Sequence, residues 1–216
     1  MKRSGRSSAL LDLLFPRRCP FCGAVGIRDS LCPKCRDTLP YTGDLQEENR
    51  GFARCAAPLY YEDGVRKAVL ELKFHGKLGG LDCFGELMAQ CAARQFAGEF
   101  DTVTWVPVSR RRRKQRGFDQ AQLLAEAAAG HWQVRPVPTL VKTVDNPAQS
   151  SLEGAEKRRA NVLGVYEPVG ENICGHRILL IDDVLTTGAT LAECVRVLRE
   201  TGAAEVLCLT LARVRA

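Results

Sequence analysis

Arg177-Ile178-Leu179-Leu180-Ile181-Asp182-Asp183-Val184-Leu185-Thr186-Thr187-Gly188-Ala189-Thr190-Leu191 joins an apolar run to two adjacent carboxylates, a hydroxyl-rich turn and the start of a helical pattern. The apolar run predicts a buried strand that sets Asp182 and Asp183 at its C-terminal edge, where open α/β sheets bind ligands. Each part has a task if the ligand is a sugar phosphate. Thr186, Thr187, Gly188, Ala189 and Thr190 supply hydroxyls and backbone N–H groups at the start of a helix, which suits a phosphate. Asp182 and Asp183 are placed to accept hydrogen bonds from ribose hydroxyls, or to hold Mg2+ directly or through water. The plainer alternative is a helix N-cap region followed by an ordinary turn.

Working outward, strand and helix patterns alternate. Residues 56–61, 102–108, 177–181 and 206–211 read as strands. Residues 65–74, 78–96, 118–129 and 189–200 have apolar residues recurring at three and four, as helices do, and Gly202 is placed to end the last one. Residues 134–144 read as extended and are broken by two prolines. This alternation predicts an α/β fold, a mostly parallel sheet with helices on both faces.

A second motif precedes the sheet. Cys19-Pro20-Phe21-Cys22 and Cys32-Pro33-Lys34-Cys35 each present two thiolates to one ion, and together they make a tetrahedral four-sulfur Zn2+ site. Gly23 suits the tight knuckle after the first pair, where a positive φ is often needed. A closed site of this kind leaves no open coordination position, so its role is structural. The metal replaces a core in residues 17–40, a segment too short to bury much of its own. Residues 41–54 are polar and read as a linker, residues 1–16 as a short amphipathic helix, and residues 55–216 as the sheet domain. Cys55 leads an apolar run and reads as a buried structural thiol.

A third feature follows the strand at 102–108. Ser109 leads into Arg110, Arg111, Arg112, Arg113, Lys114 and Arg116, six cations in seven positions at the ligand edge of the sheet. Arginines there can grip a pyrophosphate bidentately. The same run also reads as a solvated basic loop or a nucleic-acid patch. Lys73 is the better phosphate contact beside His75, and His75, His131 and His176 form no triad.

The totals agree with this organisation. The chain has 216 residues, 45% of them hydrophobic, enough for one main domain and a small appendage. Net charge is +6, compatible with phosphate-bearing ligands or nucleic acid. No run approaches the roughly 18 apolar residues of a membrane span. Ten cysteines, four in paired spacing and most others in apolar surroundings, indicate metal binding and buried thiols in a reducing compartment, the cytoplasm.

The stretch at 177–191 resembles the phosphoribosyl pyrophosphate (PRPP) motif of type I phosphoribosyltransferases. The order of features is similar to the ComF family: a cysteine pair near the N-terminus, Leu72-Lys73-Phe74-His75-Gly76-Lys77, Val106-Pro107-Val108, Arg116-Gly117-Phe118-Asp119-Gln120, Gln149 with Arg158-Arg159-Ala160-Asn161, and the acidic motif. That family joins a zinc-binding module to a phosphoribosyltransferase-like domain. The resemblance implies a PRPP-binding protein with Asp182 and Asp183 at the ribose and the 186–190 turn around the 5′-phosphate. Ser109, Arg110, Arg112, Arg113 and Arg116 would lie toward the pyrophosphate with Mg2+, and residues 145–159 would form a closing flap. If catalytic, it would transfer a phosphoribosyl group to a nitrogenous acceptor. Purine-salvage relatives carry Asp immediately before the Thr-Gly pair, where this chain has Thr186, which argues against hypoxanthine- or guanine-type acceptors. The rival expectations are a PRPP sensor without turnover, and a nucleic-acid-handling protein of DNA uptake or recombination. The partners of the latter would be single-stranded DNA and competence or DNA-processing proteins.

Overall fold

The computed structural model describes residues 16–43, 48–49, 51–145, 164–170 and 172–215. All but the last residue of the helix expected over 1–16, and all but Asp145 of the flap expected over 145–159, lie outside the described residues. In chain order the elements are α1 (Pro33–Thr38), β1 (Glu48–Asn49), β2 (Arg54–Ala56), β3 (Leu59–Tyr60), α2 (Asp63–His75), a 3-10 turn (Leu78–Gly80) and α3 (Leu81–Gln95). β4 (Thr102–Trp105), α4 (Arg110–Arg116), α5 (Gln120–Ala129), β5 (Leu140–Lys142), β6 (Tyr166–Pro168), β7 (Arg177–Leu185), α6 (Ala189–Glu200) and β8 (Glu205–Arg213) follow.

The main sheet runs β1-β2-β8-β7-β4, and β3 extends the β2 edge along β8. Every pairing in it is parallel except that of β1. The central strands β7 and β8 are apolar along most of their length because both faces are covered. Alternation along β7 assigns its side chains to two cores. Leu179 and Ile181 join Val69, Leu72, Phe84, Met88 and Leu124 from α2, α3 and α5. Ile178 and Leu180 join Leu191, Cys194, Val195 and Leu198 of α6, together with Leu140 and Tyr166 of the small antiparallel β5–β6 pair. Helices α3 and α5 cross closely: a Cβ added at Gly85 would lie 2.6 Å from the carbonyl of Ala127.

The structure matches the expected fold class and moves several boundaries. The strand expected over 56–61 is divided into β2 and β3 around Pro58, whose nitrogen has no proton for the ladder. Part of the expected linker belongs to the sheet: β1 pairs with β2, Arg54 starts β2, and Tyr41 bridges to Leu59. The long helix expected over 78–96 is a 3-10 turn followed by α3. The strand expected over 102–108 stops at Trp105, before Pro107. The basic stretch is a helix and not a loop. Ser109 caps it by accepting from the Arg112 N–H at 3.3 Å, and Gly117 ends it at φ 80°. β7 runs four residues beyond its expected end.

The cysteine module packs onto this body. Its four Sγ atoms, from Cys19, Cys22, Cys32 and Cys35, lie within 4.8 Å of one another. Cys22 and Cys32 are 3.6 Å apart. Zn–S bonds of about 2.3 Å in a tetrahedron separate the sulfurs by about 3.8 Å, so the set fits one zinc ion. Gly23 has φ 78°, and its N–H donates to the Cys19 carbonyl at 2.9 Å, closing the first knuckle. Cys55 is buried in β2, in the core beside α6, and is not part of the cluster. Phe21 meets Phe84 edge-to-face at 5.7 Å, so the module shares a core with α3. We expect one zinc per chain, and Cys32→Ser to abolish it. The variant should lose several degrees of thermal midpoint as the Phe21–Phe84 contact loosens, while far-UV helix content is largely kept. Zinc-free protein from a chelator-free purification, with all four thiols freely titratable, would refute the assignment.

Candidate ligand site at the C-terminal edge of the sheet

β4 ends at Trp105, opposite Ile181, and the last backbone link between the two strands is the Val106 N–H donating to the Ile181 carbonyl at 2.9 Å. β7 continues past that point, so its flank is open from Asp182 onward. A cavity of about 320 Å³ lies there, bounded by Asp182, Asp183 and the turn that starts α6.

Strand alternation sends the two carboxylates to opposite faces. Asp183 follows Leu179 and Ile181 toward α2 and α5. It is 6% exposed, its Oδ2 lies 2.8 Å from the Lys73 ammonium, and it accepts from the Gln120 amide at 3.3 Å. The Asp183 charge holds Lys73 above the usual lysine range, against the effect of burial. Gln120 in turn accepts from Arg116 at 2.9 Å, and Arg116 stands over the Phe74 ring at 5.1 Å. Asp182 follows Ile178 and Leu180 toward α6. Burial, with the Asp183 charge next, holds its carboxyl above the usual range. The Asp183 N–H donates to Asp182 Oδ1 at 2.8 Å.

The hydroxyl-rich turn closes one end of the cavity. Gly188 sits at φ 78°, and a Cβ there would come within 2.9 Å of the Phe52 ring. No side chain caps α6 at Gly188, so its first N–H groups remain available toward the cavity, apart from Ala189, whose N–H donates to Thr187 Oγ1 at 3.4 Å. Thr186, Gly188, Ala189 and Thr190 line the cavity and Thr187 does not.

The basic helix is divided. Arg112 and Arg116, one turn apart, line the cavity. Arg110, Arg113 and Lys114 are exposed and outside the lining, and Arg111 pairs with Asp145 at 3.4 Å. Ser109 is buried and serves as helix cap and donor to Asp145, outside the lining. Lys73 lines the cavity with its ammonium already on Asp183. The structure therefore brings together the two acids, most of the turn, Lys73, Arg112 and Arg116, and leaves out Ser109, Arg110, Arg113 and Thr187. It adds Tyr61, Phe74, Gln120, Lys142 and Tyr166. The signal for Gln120 was its place one residue after Asp119, a helix cap that accepts from the N–H groups of Ala121 and Gln122 at 3.1 and 3.3 Å. No local signal marked Lys142 or Tyr166, which reach the site through the pairing of β5 with β6.

Two known protein families match the chain. A phosphoribosyl transferase domain matches residues 85–216, and a double zinc ribbon domain matches residues 10–67. Among the described residues there is one four-cysteine cluster in the latter region. The chain is 29% identical over 203 residues to Competence protein ComFC of Bacillus subtilis, covering 90% of this chain and 77% of that protein. It is 30% identical over 209 residues to DNA utilization protein YhgH of Salmonella typhimurium, covering 89% of this chain and 90% of that one. Phosphoribosylpyrophosphate synthetase of Mycobacterium smegmatis is 21% identical with a TM-score of 0.41, and the match covers 61% of this chain and about a third, 34%, of that one. A zinc-ribbon match ahead of a phosphoribosyl transferase match, in a chain that aligns with YhgH along nearly its whole length, makes this protein a member of the ComF family.

Proposed function

We propose that the cavity binds PRPP or a related 5-phosphorylated sugar. The 5′-phosphate would rest on the N–H groups of the 186–190 turn, the ribose hydroxyls at the acidic pair, and the pyrophosphate toward Arg112 and Arg116. The observation that carries this reading is the convergence on one cavity of an acidic pair, an uncapped helix start and two arginines. Asp182 fits a Mg2+ role: burial and Asp183 disfavour its charge, and a cation would relieve both. When bound, Mg2+ would neutralise part of the pyrophosphate charge.

If the protein turns over, the C1–O bond to pyrophosphate breaks as a C1–N bond to the acceptor forms. Arg112 and Arg116 would stabilise the negative charge gathering on the departing pyrophosphate. Thr186 offers a hydroxyl and no carboxylate for the acceptor, so a nitrogen that arrives already deprotonated, or loses its proton to water after attack, as in orotate-like or amine-type transfer, suits the site better than a purine. A PRPP sensor without chemistry would use the same contacts. Ten unpaired thiols suit a reducing compartment, the cytoplasm, and no described helix is long and apolar enough to cross a membrane.

Asp182→Asn is the cleanest test. It should weaken PRPP–Mg2+ binding by about tenfold or more in a calorimetric titration, and undiminished affinity would remove Asp182 from the ligand. Its effect on stability has a defined sign. Below a pH of about 4 the parent carboxyl is protonated in both folded and unfolded chains. Above it the unfolded chain ionises first while the folded site resists, so the parent loses stability until the folded group ionises too. The variant escapes this loss, so its thermal midpoint should exceed the parent's at a pH of about 8 and match it at about 3. Asp183→Asn should do the opposite, because it strands the Lys73 ammonium. Breaking a fully buried pair costs about 3–5 kcal/mol, and the cost should be smaller here because Lys73 is 29% exposed.

A second function is favoured by the division of the basic helix and by relatives named for competence and DNA utilization. The outward Arg110, Arg113 and Lys114 are free of the cavity and suit the phosphates of single-stranded DNA. Neutralising these three should flatten the salt dependence of DNA binding by about one unit per lost phosphate contact and spare PRPP affinity. Neutralising Arg112 and Arg116 should do the reverse. If the outward set alone abolished PRPP binding, the division of labour along α4 would be wrong.

A further inference from the structure

A phosphate cradle made of backbone N–H groups works only if those groups already converge, so the fold must hold the turn still without occupying its donors. The 186–190 turn has little to hold it from within. No side chain caps α6, and Thr187 Oγ1 accepts from the Ala189 N–H at 3.4 Å. Gly188, in the middle, has φ 78°, a conformation that glycine enters and leaves with little steric cost. Leu185 and Leu191, each 1% exposed, fix the two ends of the turn in the core and leave its middle to be held by something else.

That support comes from outside the motif. Asn49 pairs with Arg54 across β1 and β2, and Phe52 lies in the short connection between these strands. Phe52 is half-buried and packs against the core on the α6 side of the sheet. Ala53 beside it and Cys55 in β2 are buried in the same core and anchor the connection there. The Phe52 ring lies on Gly188. A Cβ added at Gly188 would meet two ring carbons, at 2.9 and 3.1 Å, and Leu185 Cδ1 at 3.6 Å. Glycine at 188 therefore answers two demands, a positive φ and the close approach of an aromatic ring. The choice of ring also fits the task. Phenylalanine supplies flat bulk and no lone pair, so it presses on the turn without competing for its N–H groups.

We infer that Phe52 is a positioning residue for the 186–190 turn, holding Gly188 so that the N–H groups at the start of α6 converge on the phosphate of a 5-phosphorylated sugar. This deepens the reading of the cavity as a sugar-phosphate site and rests on it. It also gives a function to a stretch that composition marks only as a linker. The connection between β1 and β2 reaches over the α6-side core to the back of the turn, so the edge hairpin serves the ligand without touching it.

The test titrates the full chain by calorimetry with ribose 5-phosphate and, separately, with inorganic pyrophosphate. Phe52→Ala should weaken ribose 5-phosphate binding by about tenfold and leave pyrophosphate within about twofold, because only the sugar phosphate uses the turn. Phe52→Tyr keeps the ring and should restore the lost affinity. Should Phe52→Ala fail to fold, Phe52→Leu keeps apolar bulk without the flat ring and should show the same split with a smaller loss. Equal losses for both ligands would mark Phe52 as core packing alone and overturn its positioning role. A second measurement reads the contact itself. Gly188→Ala should lower the thermal midpoint through both the clash and the backbone strain, and adding Phe52→Ala should recover part of that loss by removing the clash. No recovery in the double variant would overturn the contact. A parent that binds ribose 5-phosphate with an affinity indifferent to Phe52 would overturn the role and leave the sugar-phosphate reading standing. A parent that does not bind ribose 5-phosphate would overturn that reading, and the role of Phe52 with it, even where the double variant recovers.

Discussion

The ion pair between Lys73 and Asp183 ties the candidate site to the rest of the molecule. Asp183 stands on the central strand, buried, one residue from a second carboxylate. Two adjacent acids at the end of an apolar strand cannot both ionise without a compensating charge. Lys73 supplies that charge at 2.8 Å and Gln120 fills a further acceptor position. Buried pairs of this kind add little net stability, because desolvation offsets attraction. Their effect is positional: α2 and α5 are held in register with β7 at the point where the strand leaves its neighbour, and the cavity opens there. The pair also divides the labour between the two acids. Asp183 has its partner, and Asp182, facing the other way, is left with a charge that burial and Asp183 disfavour.

The parts of this arrangement that were legible in the sequence are the local ones. The acids, the hydroxyl turn and the start of the helix after it lie within fifteen consecutive residues, and strand period and glycine placement are enough to read them. The four cysteines were legible for the same reason, since each pair forms a knuckle from adjacent residues. Strand alternation puts Asp182 and Asp183 on opposite sides of the sheet, which the expected end of the strand at Ile181 had hidden. What it did not supply was the company each would find there. Lys73 meets Asp183 across a large part of the chain, and Lys142 and Tyr166 enter the cavity only because β5 pairs with β6.

The basic stretch shows a different limit. Six cations in seven positions carry no apolar periodicity, so the usual helix signal is missing between Arg110 and Arg116. The end signals were present. Ser109 is a helix-capping residue and Gly117 provides the left-handed stop. A helix changes the meaning of the run, because it sorts the cations by face. Arg112 and Arg116, four apart, share the cavity side, and Arg110 and Arg113, three apart, share the exposed one. A loop reading treats all of them as one patch, which is why phosphate-sugar and nucleic-acid readings of the same residues seemed to compete.

The zinc module bears on the same ion pair from behind. Its first knuckle touches α2 at the start and the turn just past its end. A Cβ at Gly64, in the first turn of the helix, would lie 3.4 Å from the Phe21 carbonyl. One at Gly80, in the 3-10 turn that follows α2, would lie 2.8 Å from Pro20. Pro20 and Phe21 are the two residues between the metal-binding thiols Cys19 and Cys22, so the ion that closes that loop also fixes their positions. Ser30, on the loop between the two cysteine pairs, donates to Glu86 of α3 at 2.6 Å, and Phe21 meets Phe84 of the same helix. The knuckle therefore braces the helix that carries Lys73 near both ends, and Lys73 holds Asp183. A closed four-sulfur site has no chemistry of its own to offer the cavity. Its place in the fold gives it a mechanical part in that cavity, through a chain of packed contacts from metal to knuckle to helix to carboxylate.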